Sequence, residues 1–465
     1  MKLSKIEITY FRCFESLRVD FQPDVNVIVG ANGSGKSSIL DAVAIALYEL
    51  VAANGPGGQR QRKAQSTSLL HTDIYTSPPT VDGVSAPKQF VQVRASANDY
   101  YPIENFTGKT STGQAAALEW SQHILFQPPA RFSYSSSTTE RLSSLNQYIQ
   151  ALWREIGKSP QALIPLPVVA YYRATRRMGG TPELGDIFKL DLSRDKAYTD
   201  ALNAAANFTA MCQWFYLREN AELRARVNTQ DGQDQEFVDL RATRQALKQT
   251  IEGLERLYFD GSPPRLMVDI REANGGVRTL ELAQLSDGYR NLLALVLDFA
   301  RRLAQANPTW SNPLEAPGIL LIDEIELHLH PRWQQTVIPG LRAAFPNTQL
   351  IVSTHSPAVL TTVRREHIHL LGADHGFEHI PDDVGTYGAE NSRILAEVFG
   401  ADSRPRNIDT VEKLNKYLVL IENRQHDTES ARDLRNELES ALGRSDPDLR
   451  RADLRIRQIQ VMGKQ

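Results

Sequence analysis

The residues best placed to do chemistry lie in short stretches far apart in the sequence. Gly30-Ala31-Asn32-Gly33-Ser34-Gly35-Lys36-Ser37 fits the pattern Gly-x-x-x-x-Gly-Lys-Ser/Thr without a mismatch. Such a loop binds phosphate. Asn32, Gly33, Ser34 and Gly35 are small enough for the backbone to wrap the phosphates, and its N–H groups and the following helix N-terminus supply positive potential. Lys36 then reaches the β- and γ-phosphates of a nucleoside triphosphate, and Ser37 ligates Mg2+. Ile319-Leu320-Leu321-Ile322-Asp323-Glu324 ends an apolar run on two adjacent carboxylates, which are costly at a buried strand end unless something positive lies against them. Mg2+ held by Asp323, directly or through water, would meet that need and leave Glu324 to orient or deprotonate an attacking water. An N-cap or a turn acid at the end of a strand is the other reading of this pair. His355 follows a second apolar run, 349–353; a neutral imidazole there donates to the γ-phosphate or holds the water, or serves the structure alone. His328 and His330, two apart with no cysteine nearby, make a poor zinc pair.

The elements that must position these groups show as patterns. Leu3, Ile6, Ile8, Phe11 and Phe14, then Leu17, Val19 and Phe21, alternate with polar residues, which predicts two half-buried strands. Residues 25–29 form a continuous apolar strand ending at the glycine loop, and residues 37–51 have helical character; strand, loop and helix are the context a phosphate loop requires. From Ala52 to Pro87 the composition turns to Gly, Ser, Thr, Gln and Pro, predicting a long surface loop or insertion. Strands are expected at 89–94 and 168–172, the second leading into Arg173, Arg176 and Arg177. Residues 189–259, with Leu240, Ala246, Leu247, Ile251 and Leu254, read as a charged helical hairpin, too short for a long coiled-coil arm. A strand at 266–270, a helix at 292–303 and buried strands at 318–323 and 349–353 follow, and the tail is helical over 411–421 and 431–442.

Composition narrows the class. A chain of 465 residues with 41% hydrophobic and 23% charged residues is that of a globular protein, either one large domain with insertions or two to three lobes. A formal net charge of −3 argues against a generally basic nucleic-acid coat, and Arg60, Arg62, Lys63, Arg404 and Arg406 are expected in solvated loops. Cys13 and Cys212 are expected as reduced, buried thiols. No signal-peptide core follows Met1, and the longest apolar stretch, 163–172, is broken by Pro165 and Pro167, so a cytoplasmic protein with no membrane segment is expected.

The order of the motifs resembles that of ATP-binding-cassette (ABC) ATPases, and within them the soluble RecF/SMC-like heads. Leu285-Ser286-Asp287-Gly288 stands where that family has its Leu-Ser-Gly-Gly signature, Asp287 being the departure. The resemblance implies an α/β P-loop fold of ABC/RecF-SMC head type, with a mixed sheet core, a helical lobe, a short helical insertion and a helical C-terminal tail. It implies ATP hydrolysis with Mg2+, and head-to-head self-association in which Ser286 and Gly288 of one subunit contact the γ-phosphate held by the other. The expected layout is an N-terminal ATPase lobe over 1–180 with a loop insertion at 51–87, a helical arm over 181–282, a second ATPase lobe over 283–400 and a helical segment over 401–465. Gln89, Gln92 and Gln127 are the candidates for the family's Q-loop glutamine.

Residues 5–14, 167–173 and 323–331, with Thr386-Tyr387-Gly388 and residues 391–395, are similar to the PtuA ATPases of Septu antiphage systems, also found as effectors of some retrons. That similarity implies a separate HNH nuclease partner (PtuB-like), held by the C-terminal helices or the insertions, with DNA reached through the complex. The RecF likeness leaves open a DNA-repair ATPase that grips DNA itself. A transporter cassette fits poorly, for the chain lacks Leu-Ser-Gly-Gly-Gln and carries Glu326-Leu327-His328-Leu329-His330-Pro331.

Overall fold

Alternating side chains build the first sheet. β1 (Lys2–Phe11) and β2 (Phe14–Asp20) bury Leu3, Ile6, Ile8, Phe11, Phe14, Leu17 and Val19 and leave the residues between them more exposed. They pair antiparallel with Ile8 opposite Leu17, and β4 (Phe90–Asn98) and β5 (Leu118–Leu125) extend the sheet in the order β2-β1-β4-β5. The computed structural model describes residues 1–52, 69–75, 90–103, 118–125, 142–159, 162–176, 181, 183–185, 190–203, 208–228, 236–272 and 274–462. Gln89, Gln127, Arg60, Arg62, Lys63, Arg177 and most of the stretch expected as a loop over 52–87 lie outside these residues.

Apolar runs build the second sheet. β3 (Val25–Gly30), β6 (Val168–Tyr172), β10 (Gly318–Ile322) and β11 (Thr348–Thr354) are buried throughout, as parallel strands covered on both faces must be. With β12 (Ile368–Leu371) parallel to β3 and β13 (Phe377–Glu378) antiparallel at the edge, the order is β13-β12-β3-β11-β10-β6. The register sets Tyr172 beside Ile322 and Thr354 beside Val29. The carboxyl ends of β3, β6, β10 and β11 therefore emerge along one rim, where ligands bind in open α/β sheets.

Helix α1 (Lys36–Ala52) is buried on nearly all sides, as a helix that is apolar all round must be. Trp120 Nε1 and Gln122 Nε2 of β5 donate to Ala46 O and Ile45 O of α1 at 2.8 and 2.7 Å. α2 (Leu142–Lys158), α3 (Phe208–Asn228), α4 (Val238–Thr250) and α5 (Asp287–Ala306) follow, and α4 packs on α5 and on α7 (Val337–Ala344), which follows the short α6 (Pro331–Gln334). α8 (Pro357–Leu360) leaves the His355 loop.

Leu254 departs from the helical reading of 189–259. α4 stops at Thr250, Gly253 turns the chain at φ +79°, and Leu254 opens β7 (Leu254–Asp260), which pairs antiparallel with β8 (Arg265–Arg271) and, beyond it, β9 (Val277–Glu281). This third sheet feeds directly into α5. Cys212 is buried in α3, whereas Cys13, in the turn between β1 and β2, is only half-buried; both are free.

The chain forms two compact units, Met1–Ala389 and Glu390–Gln465. The second holds α9 (Asn391–Glu397), and packs α10 (Asp409–Glu422), α11 (Glu429–Leu442) and α12 (Pro447–Met462) around Leu414, Tyr417, Ile421, Ala431, Leu438, Leu449 and Ala452. Arg404, expected in a solvated loop, is tied to Asp446 and Asp448 at 2.8 Å, while Arg406 is exposed and pairs with Asp402. No helix among the described residues is long and apolar enough to cross a membrane.

Candidate active site

The glycine loop leaves the buried β3 at Gly30 and enters α1 at Lys36. Gly35 has φ +110°, and a Cβ there would lie 2.5 Å from Phe14 Cζ and 2.7 Å from Cys13 Sγ. Only glycine fits between the loop and the β1–β2 turn. Lys36 curls back into the loop, its Nζ donating to Gly30 O at 3.0 Å and Ala31 O at 2.8 Å. Burial lowers its pKa, and Asp323, Glu324 and Glu326 oppose that shift. Asn32, Gly33 and Ser37 are exposed, while Ser34 is buried, its carbonyl facing His375 Nδ1 at 2.8 Å. The turn after β12 thus braces the loop from outside.

The acidic pair sits where β10 ends. Ser37 Oγ donates to Asp323 Oδ1 at 3.1 Å, joining two residues 286 positions apart. Ser353 Oγ donates to the same oxygen at 2.6 Å and accepts from Glu324 N at 2.8 Å. Glu324 has φ +48°, a left-handed conformation that costs a non-glycine residue about 1 kcal/mol, and this takes its side chain out of the strand direction. Glu326 accepts from Thr354 Oγ1 at 2.7 Å and from His355 N at 2.6 Å. The histidine's backbone is thus tied to the chain that carries the carboxylates. Burial first, then the charge of Lys36, lower the pKa of His355 and favour its neutral imidazole.

Ser286 and Gly288 are held elsewhere. Ser286 caps α5, its Oγ accepting from Tyr289 N at 3.4 Å. Asp287 is exposed and pairs with Arg290. Gly288 abuts the turn after Glu326, where a Cβ would lie 2.1 Å from His328 O. His328 is left-handed at φ +64°, and His330 Nδ1 accepts from Arg332 N at 3.3 Å, so both histidines shape this turn. Among the described residues no hydrogen bond joins Ser286 or Gly288 to residues 30–37. Lys36, Ser37, Asp323, Glu324 and His355 come together; Ser286 and Gly288, at the start of α5, share no hydrogen bond with them among the described residues. Gln92 lies within β4, opposite Thr9 and His123.

Three positioning groups escaped the sequence reading: Arg176, Glu326 and His375. Arg176 is 4% exposed and donates from Nη1 to Asp323 O at 2.5 Å and from Nη2 to Glu324 O at 2.8 Å. Burial lowers its pKa to about 10 against the pull of Asp323, Glu326 and Glu324. The only sequence signal was an arginine run just beyond a buried strand.

A phosphate loop on a buried parallel strand, with an acidic pair and a histidine ending its neighbours, defines a P-loop ATPase fold. The AAA domain family matches residues 5–256, more than half of the chain, and the chain belongs to that family. The family described as AAA domain, putative AbiEii toxin, Type IV TA system matches residues 176–361. Along nearly its whole length the chain is similar to the retron Ec83 probable ATPase of Escherichia coli, 26% identical over 98% of this chain and 86% of that one. It is likewise similar to the retron Vc95 probable ATPase of Vibrio cholerae, 25% identical over 94% and 86%. A shorter match, 31% identical over 34% of this chain and 22% of the relative, joins it to the Septu protein PtuA of Bacillus mycoides.

Proposed function

We propose that this chain is the ATP-hydrolysing and ATP-sensing subunit of an antiphage defence complex, whose heads pair around ATP and so license a partner HNH nuclease. The separation of the site carries this reading. One chain supplies a phosphate loop, a carboxylate pair and a histidine, while Ser286 and Gly288, at the start of α5, make no hydrogen bond to the phosphate loop among the described residues. A second copy would offer its Ser286 hydroxyl and Gly288 N–H across the pair. Two nucleotides buried between heads would couple a large interface to ATP concentration. The similarity to retron ATPases over almost the full chain supports the defence setting.

Within each head the residues have separable tasks. Lys36 and the N–H groups of 33–37 bind the β- and γ-phosphates. Ser37 and Asp323 are hard oxygen donors already in contact, a set that suits Mg2+, which takes few protein ligands. Mg2+ held there would neutralise charge between the β- and γ-phosphates. Glu324 orients the attacking water and accepts its proton. His355, kept neutral, donates to the γ-phosphate or to that water. The second helical unit, Glu390–Gln465, is the proposed seat of the nuclease.

The test is ATP-dependent pairing. Lys36→Ala should lose ATP binding by at least ~10-fold. Glu324→Gln should bind ATP, turn over at least ~100-fold more slowly and accumulate as a closed pair in light scattering. Ser286→Arg should bind ATP yet remain unpaired. A Glu324→Gln chain that stays monomeric with ATP bound would refute the composite site. Salt-sensitive DNA binding by the isolated chain would favour the repair reading instead.

A further inference from the structure

We propose that Arg176 positions the Glu324 carboxylate, acting through the backbone it clamps and not on the reacting atoms; this rests on Glu324 being the group that handles the attacking water. The main-chain groups around Glu324 can be accounted for one by one. Asp323 N donates to Tyr172 O at 2.9 Å, Glu324 N to Ser353 Oγ at 2.8 Å and Ile325 N to Ser353 O at 3.0 Å. The carbonyls of Asp323 and Glu324 leave the ladder as the chain turns, and Arg176 supplies a donor to each. Its Nη1 also donates to Arg173 O at 2.9 Å, which ties the guanidinium to the end of β6.

A left-handed glutamate persists only where its surroundings over-determine it. Ser353 fixes one side of the Glu324 peptide and Arg176 the other. Without the arginine, the Asp323 carbonyl loses its donor and the Glu324 carbonyl keeps only Leu327 N at 3.0 Å, and Glu324 can relax to negative φ, which swings its Cα–Cβ bond and carboxylate. The fork of a guanidinium spans two successive carbonyls, whereas an ammonium is a single point donor. Arg176 is enclosed, and its named bonds all go to main-chain oxygens, so it is a positioning residue.

The experiment uses full-length Arg176→Lys and Arg176→Gln, each alone and combined with Glu324→Gln, with kcat measured beside the dissociation constant of a fluorescent ATP analogue. A misplacement of about 1 Å at the reacting group costs roughly 100-fold, so kcat should fall 10- to 100-fold on the order of that estimate. Nucleotide affinity should hold within about 3-fold, the split expected when a transition-state contact is lost. In the Glu324→Gln background the Arg176 changes should cost less than about 3-fold more, because both act on one group. Wild-type kcat in Arg176→Lys, an undiminished loss in the double variant, or a parallel loss of ATP affinity would overturn the role. If both variants are unfolded at the assay temperature, Arg176 is a structural brace and the proposal falls. Wild-type turnover by Glu324→Gln alone would instead withdraw the assignment of Glu324, and this role with it.

Discussion

Gly288→Ala probes the seam between the start of α5 and the turn that follows Asp323 and Glu324. A Cβ at this position would lie 2.1 Å from His328 O, 2.8 Å from His328 C and 3.3 Å from Leu329 Cα. Carbon contacts prefer about 3.5 Å or more, so the methyl overlaps main chain by roughly 1 Å. That main chain has little room to retreat. His328 is already left-handed, Leu329 N donates to Glu326 O at 2.8 Å and Leu327 N to Glu324 O at 3.0 Å. Overpacking of this kind costs about 1–3 kcal/mol. The usual effect of replacing a helical glycine by alanine is a gain of roughly 0.5–1 kcal/mol, so the sign alone is informative. Denaturant unfolding followed by tryptophan fluorescence reads the seam directly, because Trp333 stacks edge-on against Tyr289 with centroids 5.1 Å apart. The displaced turn begins at Glu324, so kcat should fall while a single head still binds ATP through residues 30–37. A Gly288→Ala chain as stable as wild type, or more so, with full turnover, would refute the reasoning.

Two further outcomes are expected. Asp298, 2% exposed, accepts from Tyr172 OH at 2.7 Å and from Arg301 and Arg302 at 2.8 Å each; burial alone would raise its pKa, but Arg302 and Arg301 outweigh that and hold it well below the carboxylate range. Asp298→Asn leaves two buried guanidinium groups without a counter-charge and should cost about 3–5 kcal/mol, read from the unfolding midpoint; a loss under about 1 kcal/mol would contradict this account. His369 faces Asn26 Oδ1 at 3.2 Å and packs on Phe21 and Phe377, and burial, then His367, lowers its pKa from 6.5 to about 4. The unfolded chain therefore takes up this proton first as pH falls. Stability is whole above pH 6.5 and drains down to about pH 4 by roughly 2–3 kcal/mol, a slope that His369→Gln should flatten; identical acid profiles for the two chains would rule it out.

The strands that carry the site were legible because parallel strands covered on both faces must be apolar throughout, as 25–29, 168–172, 318–322 and 349–353 are. Leu254 was misread because its neighbours keep a helical spacing up to Ile251, and only the turn at Gly253 marks the change. β5 went unread, and the α1 carbonyls that Trp120 and Gln122 reach lie more than 70 positions away. The same holds for Arg176 and Glu326, whose partners are 147 and 28 positions off along the chain for their Asp323 and Thr354 bonds. A motif names the groups that react. It says nothing of side chains that hold those groups by bonding to main chain, since such bonds impose no pattern on the residues that accept them.

That distinction bears on how a paired head could sense its neighbour. Ser353 Oγ binds both Asp323 and Glu324, and Glu326 binds both Thr354 and His355, so the ends of β10 and β11 form one braced body. The glycine loop meets that body through the Ser37–Asp323 contact. Gly288 presses the start of α5 onto His328, four residues beyond Glu324. In the proposed pair, a triphosphate bound by one copy would bear on the other copy's Ser286 and Gly288, and any shift there meets main chain, not a yielding side chain. Close-packed contacts of this kind transmit displacement instead of absorbing it. Each head's carboxylate would thereby be set by the nucleotide its neighbour holds, and hydrolysis would follow pairing.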